Sequence, residues 1–378
     1  MKINISSGLR FNAPQTARAL KNDYDVKIYS SSPFKYWSDM DSNQVSFIPM
    51  PYKISSKLFN TGRGRSRKEM DATIFDWIAS KTMRECDIFH GWATFSLLSG
   101  KVQKKKGGVF ILDRACPHIK FQERLLLEES NNLGIEYSPV SNRFMDRMLE
   151  EYDLADKIVV PSLYTYNSFI ENGFNKDKLF LASLDVNFLS SGVKTNSTIN
   201  NGFIVGSVGG NVLRKGFIYL LEAWESLSIP NSMLLLKTSK NELKKYPILW
   251  DKIKNNPTIK VIGYVENIEE FYLKCDVFCL PSIDEGFGMV VLESMACGTP
   301  VIATCNVGSS SFILNGKNGY IVPIRDSNSI ASKIEFLYNN RNELQLMSES
   351  ASQHYVDYSL SNTNYKNIIK KMYSSLIS

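Results

Sequence analysis

The chain has 378 residues, 43% hydrophobic and 22% charged, with a formal net charge of +6. That length passes the roughly 250–300 residues at which one hydrophobic core stops growing, so two domains are expected, and the composition is that of an ordinary soluble globular chain. No run reaches the roughly 18 apolar residues of a membrane helix, and Met1-Lys-Ile-Asn-Ile-Ser-Ser-Gly8 lacks the apolar core of a signal peptide, so a cytoplasmic protein is expected.

Lys2–Ile5 reads as a first strand, Ser6-Ser-Gly8 as a turn, and Asn12–Leu20 as a helix with Pro14 in its first turn. Asp25–Tyr29, Asp87–His90, Val109–Leu112 and Lys157–Val160 continue as strands separated by helical segments, which implies a parallel sheet. Asp39-Met-Asp41 has the spacing of a metal-binding acidic pair, yet it lies in a polar loop and reads as coincidence. The surplus positive charge clusters in Arg63-Gly-Arg-Ser-Arg-Lys68 and Lys101-Val-Gln-Lys-Lys-Lys106. Such runs are either a solvated face or a peripheral contact with anionic lipid, where each basic residue adds about 1 kcal/mol near the surface. No nucleic-acid motif accompanies them, so nucleic acid is not an expected partner. The six cysteines lack zinc-ligand spacing and are expected to be buried thiols.

The polar stretch from Val186 to Gly202 is the linker candidate, and a second set of strands begins at Phe203. The expected domains are 1–187 and 202–355, followed by a closing segment 356–378. Ile368, Ile369, Met372, Tyr373 and Leu376 give that segment one apolar face, suited to a helix packed back on the first domain or, more plainly, on its own. Ligands of open parallel sheets sit beyond the carboxyl ends of the strands, so an α/β chain with two facing sheets should bind its ligand between them.

Gly206-Ser-Val-Gly-Gly-Asn-Val-Leu-Arg-Lys-Gly-Phe217 places glycines and two cations between a strand and a helix. Glycine lets backbone approach a phosphate, and Arg214 and Lys215 can neutralise one; the alternative is that both merely solvate a helix start. Between Leu280 and Pro323 the chain reads Leu-Pro-Ser-Ile-Asp-Glu-Gly-Phe-Gly-Met-Val-Val-Leu-Glu-Ser-Met-Ala-Cys-Gly-Thr-Pro-Val-Ile-Ala303. A buried strand ends at Leu280, a turn carries Glu285, Gly286, Phe287 and Gly288, and a helix runs from about Met289 to Ala296. The bare amides of its first turn and the positive helix end make an anion site. Glu285 and Glu293 lie roughly 12 Å apart along such a helix. Paired carboxylates of a glycosidase flank one bond at about 5–9 Å, so this pair better suits the two ends of one extended ligand.

The run from Pro281 through Glu285-Gly-Phe-Gly288, Glu293 and Ala296-Cys-Gly-Thr-Pro-Val301 to Asn315-Gly-Lys-Asn-Gly-Tyr-Ile-Val-Pro323 resembles the donor-binding signature of retaining GT-B glycosyltransferases, the family 4 or glycogen-synthase-like group. The resemblance covers nearly the whole chain and is thin between residues 30 and 85. It implies two Rossmann-like domains, a nucleotide-sugar donor, a saccharide or lipid-linked acceptor, and no cofactor. Glu285 would hold a donor-sugar hydroxyl, Glu293 the ribose hydroxyls, and Lys215 with Arg214 the diphosphate. Gly8 and Gly209 would lie against phosphate, the amides of Gly286 to Met289 against the donor, and main-chain groups near Tyr264 against the base. His90, ending the run Asp87-Ile-Phe-His90, would lie under the donor sugar; a packed structural histidine is the alternative. Asp113, Arg114 and His118 match a segment of surface-polysaccharide enzymes and become acceptor-side candidates, unless Arg114 pairs with Glu128 or Glu129 structurally. With cations and helix ends serving the leaving group, no metal is required.

Two other classes compete. A nicotinamide oxidoreductase would need the Gly-x-Gly-x-x-Gly fingerprint that Ser6-Ser-Gly8-Leu-Arg-Phe-Asn12 lacks. A non-catalytic nucleotide-sugar-binding subunit would retain binding without releasing nucleoside diphosphate.

Overall fold

The computed structural model describes residues 1–51, 65–186, 202–361 and 363–376. Most of the expected linker, together with Arg63, Gly64 and Asn362, lies outside them. The chain divides into two compact units. Unit 1 comprises Met1–Glu123, Ser138–Leu184 and Tyr365–Ser378, and unit 2 comprises Arg124–Tyr137 and Asp185–Asn364. The final helix, Tyr365–Ser375, therefore belongs with unit 1 and packs on the helix Ala13–Leu20.

Unit 1 is built on a sheet of seven described strands: β1 (Lys2–Ser7), β2 (Asp25–Ser30), β3 (Val45–Phe47), β4 (Ile88–Trp92), β5 (Val109–Asp113), β6 (Lys157–Val160) and β7 (Leu179–Leu181), in the order β3-β2-β1-β4-β5-β6-β7. Every pairing is parallel, with Ile5 opposite both Ile28 and His90. All five residues of β4 are buried, as expected of a parallel strand covered on both faces. Helices Arg65–Thr82, Leu97–Lys105 and Asn142–Leu154 pack together. The buried Asp76 carboxylate fastens the second of these, accepting from the amides of Leu98 at 2.7 Å and Ser99 at 3.0 Å. These are first-turn donors with no partner inside their own helix.

Unit 2 repeats the scheme with β8 (Phe203–Val208), β9 (Ser232–Lys237), β10 (Ile259–Ile262), β11 (Val277–Leu280), β12 (Val301–Thr304) and β13 (Gly319–Val322). Their order is β10-β9-β8-β11-β12-β13, again parallel throughout. Both β11 and β12 are buried at every position. Phe203, Phe217, Leu220, Leu234 and Val277 form the centre of its core. The fold is thus α/β with two Rossmann-like parallel-sheet domains.

Cys86, Cys275, Cys279 and Cys297 are buried, Cys116 is half-buried and Cys305 is exposed, so the expectation of buried thiols fails at Cys305. That residue sits just past the end of β12, where the chain leaves the sheet. Asp39 accepts from Arg18 Nε at 2.9 Å, and Asp41 forms a capping box with Gln44, so both acids of the Asp-x-Asp run have structural partners.

Candidate functional site

Two loops leave the carboxyl ends of neighbouring strands β8 and β11 and are stitched together. The amide of Ile283 donates to the carbonyl of Arg214 at 2.9 Å. Gly216 makes this approach feasible. Its φ is +61°, and a Cβ there would lie 2.0 Å from the carbonyl oxygen of Pro281. Gly216 is also the N-cap of the helix Phe217–Ser226. The Lys215 stem lies over Gly209, where a Cβ would meet Lys215 Cγ at 2.6 Å.

That packing carries two cations onto one carboxylate oxygen. Lys215 Nζ donates to Glu285 Oε2, and Arg214 Nη2 reaches the same oxygen at 3.1 Å. A second acid, the buried Asp284, stands 3.9 Å from Arg214 Nη1. Burial alone would push the Glu285 carboxyl up. The charges of Lys215 and Arg214, with their hydrogen bonds, outweigh it and hold the group at about 2. The Glu285 side chain keeps 13% of its surface exposed, so an incoming anion can reach this cluster. Its backbone is pinned on both sides, the amide donating to Asn306 O at 3.1 Å and the carbonyl accepting from Gly308 N at 2.9 Å.

Gly288 then turns the chain into the helix Met289–Ala296 with φ +87°. No acidic side chain occupies the first turn of this helix, whose N-terminal end carries the positive pole of its dipole. Glu293 sits on the same helix and accepts the Tyr272 hydroxyl at 2.7 Å. Tyr272 is wholly buried; burial first, then the Glu293 charge, pushes its phenol well above the ordinary value, so it remains a donor. Tyr264 follows the end of β10 and is 90% exposed. In unit 2, then, Arg214, Lys215, Gly209 and Glu285 meet, with Gly288 and Met289 beside them. Sequence reasoning missed Tyr272 as the partner of Glu293, although both flank β11 in the chain.

Unit 1 places its candidates differently. His90 is fully buried and stacked on Trp92 at 4.8 Å, and its Nδ1 shares a 2.8 Å hydrogen bond with the Tyr373 hydroxyl. Burial lowers its pKa to about 3. Asp113, 3.9 Å from His90 Nε2, accepts from Asn12 Nδ2 at 3.0 Å, and burial raises it to about 7. Asn12 also donates to Tyr365 and accepts from Trp92 Nε1, so the final helix and the loop after β1 share one buried polar cluster. Arg114 Nη2 donates to the carbonyl of Pro117 at 2.8 Å. His118 packs on Tyr152 and Phe169, and burial first, then the charges of Arg114 and Lys120, lowers it to about 4. Gly8 is closed over by Phe95, whose ring a Cβ would meet at 2.2 Å. The suggested Arg114 pairing with Glu128 or Glu129 is corrected: those two acids bind Arg325 at 2.6 and 2.7 Å, because residues 124–137 fold with unit 2.

Part of the second basic run is paired. Lys101 pairs with Glu150, Lys104 binds Asp156 at 2.5 Å, and Lys105 and Lys106 are exposed. Among the described residues no helix is long and apolar enough to cross a membrane.

Two Rossmann-like parallel-sheet domains define the GT-B class of architecture. Residues 194–354 match the family model described as glycosyl transferases group 1. The chain is 32% identical over 195 residues to the capsular polysaccharide biosynthesis glycosyltransferase CapM of Staphylococcus aureus, a match covering 50% of each chain. The chain thus spans about half the length of that curated relative. Sucrose-phosphate synthase from Thermosynechococcus elongatus shares the fold with a TM-score of 0.73 at 19% identity, covering 100% of this chain and 99% of that one. Anabaena HepE, solved in complex with UDP-glucose, gives 0.68 at 14% identity, covering 100% and 99%.

Proposed function

We propose that the protein is a retaining, metal-independent glycosyltransferase that moves a sugar from a nucleotide-sugar to a saccharide acceptor, carried on a lipid, in bacterial surface-polysaccharide assembly. The observation that carries this reading is the convergence of Arg214, Lys215 and the start of Met289–Ala296 around Glu285. Sugar transfer needs a stabilised diphosphate leaving group and stabilised positive charge at the anomeric carbon. The two cations and the leading helix amides serve the first need. For the second, the departing phosphate oxygen stays beside the anomeric carbon and takes the acceptor's proton as the new bond forms on the same face. Glu285 is then a ligand of a donor-sugar hydroxyl rather than a nucleophile, and Glu293, aimed by Tyr272, takes the ribose hydroxyls.

Lipid-linked acceptors and contact with an anionic membrane through Lys105 and Lys106 belong to the same reading, supported by the polysaccharide role in the CapM name. His90, Asp113, Arg114 and His118 act in it by shaping unit 1, since their side chains are buried. The test is a release assay with UDP-, GDP-, ADP- and dTDP-sugars. One donor class should yield free nucleoside diphosphate with the purified protein, and neither binding nor release with any of them would overturn the proposal.

A further inference from the structure

Both cations of the anion site terminate on the same atom, Glu285 Oε2, which lies at the opening of a helix whose first turn has no acid of its own. An oxygen held by Lys and Arg, on a side chain that lies against the Gly288 N-cap of a helix, is what a phosphate oxygen would be in the same place. The carboxylate is ionised down to about 2 because those cations hold it. Its main chain is fixed by Asn306 and Gly308, so only side-chain rotation can move it away.

We propose that Glu285 is a built-in competitor for the diphosphate: without donor its carboxylate occupies a phosphate oxygen's seat, and a nucleoside diphosphate displaces it by rotation of the side chain. The inference deepens the glycosyltransferase reading and rests on it for the identity of the anion. The displaced carboxylate is delivered to the donor sugar only when the diphosphate is seated, which couples its sugar-binding role to a filled site. After transfer, its return to Arg214 and Lys215 opposes rebinding of the product. Charge balance supports the exchange: one carboxylate leaves two cations as a dianionic group arrives, so neither cation is left bare near the buried Asp284.

The experiment is calorimetric titration of inorganic pyrophosphate and of UDP into the full-length wild type, Glu285→Gln and Lys215→Gln. Glutamine keeps the shape and removes the competing charge, so Glu285→Gln should bind both ligands about three- to tenfold tighter, while Lys215→Gln should bind them at least about tenfold more weakly. Equal or weaker binding by a folded Glu285→Gln overturns the proposal. A wild-type crystal grown with pyrophosphate keeps the test open should that variant misfold. Glu285 Oε2 off Lys215 with a phosphate oxygen in its place supports the exchange, and Glu285 still on Lys215 beside a bound pyrophosphate refutes it. Tighter pyrophosphate binding together with no response to any nucleotide-sugar would leave the exchange standing and remove the glycosyltransferase reading instead.

Discussion

Glu285 and Glu293 stand on one turn-and-helix, and their neighbours set them to different tasks. Two cations hold Glu285, whereas Glu293 accepts from the buried phenol of Tyr272. Glu293→Ala should therefore weaken nucleoside diphosphate binding about tenfold, and Tyr272→Phe, which removes only the aiming hydrogen bond, about threefold, both read by calorimetry. Glu285→Ala should instead lower kcat about 100-fold with a smaller change in KM, read by steady-state release of nucleoside diphosphate. Arg214, Lys215, Glu285 and Glu293 could be singled out as candidates in the sequence because they lie on loop and helix-start segments whose glycines suit a close approach of backbone to a ligand. The convergence of both cations on one oxygen was not legible. It depends on the 2.9 Å stitch between Ile283 N and Arg214 O, a contact between segments about 70 residues apart with no sequence pattern.

Between elements, the decisive positions are where one backbone nearly touches another. At Gly216 a methyl group would strike the Pro281 carbonyl at 2.0 Å and would also occupy a left-handed backbone, so Gly216→Ala should cost more than about 2 kcal/mol and loosen the Arg214–Lys215 turn. Gly210→Ala in the same loop meets nothing within 4 Å, and its effect should stay within about 0.5 kcal/mol. Urea titration of both variants separates the two outcomes. The strand series was readable because Ile158–Val160, Val277–Leu280 and Val301–Ala303 are short apolar runs closed by polar or turn residues, the pattern of strands covered on both faces. Two assignments lay beyond periodicity. The helix Ile119–Leu133 starts in unit 1, yet its residues from Arg124 onward fold with unit 2, where Glu129 binds Arg325 some 196 positions later. His90 reads either as a residue under the donor sugar or as a packed histidine, and the bond of its ring nitrogen to Tyr373, 283 residues away, follows no sequence pattern. Tyr373→Phe should accordingly cost about 1–3 kcal/mol in the same titration, since His90 Nδ1 would be left buried without that partner.

For the whole molecule, the two units should answer pH through different groups. Stability rises with pH wherever the unfolded chain binds more protons than the folded one. His90 titrates near 6.5 when unfolded and near 3 when folded, so between those values it makes unit 1 more stable as pH rises. Asp113 runs the other way: it ionises near 3.8 unfolded and near 7 folded, so over that range it makes unit 1 less stable as pH rises. Between about 3.8 and 6.5 the two slopes oppose, and unit 1 should be nearly indifferent to pH there. In unit 2, the ion pairs of Glu285 contribute fully above its ordinary value of 4.5, and that contribution is lost as pH falls through about 2. Unfolding can be followed unit by unit, because Trp37, Trp77 and Trp92 report on unit 1 while Trp224 and Trp250 report on unit 2. Replacing one member of the buried pair should unmask the other. With Asp113→Asn, stability of unit 1 should climb steadily from about pH 4 to 6.5, and with His90→Gln it should fall from about pH 4 to 7. Denaturant titrations of single-unit tryptophan variants at four pH values in that window would check both slopes, and parallel curves for wild type and the two variants would show that neither group carries the linkage.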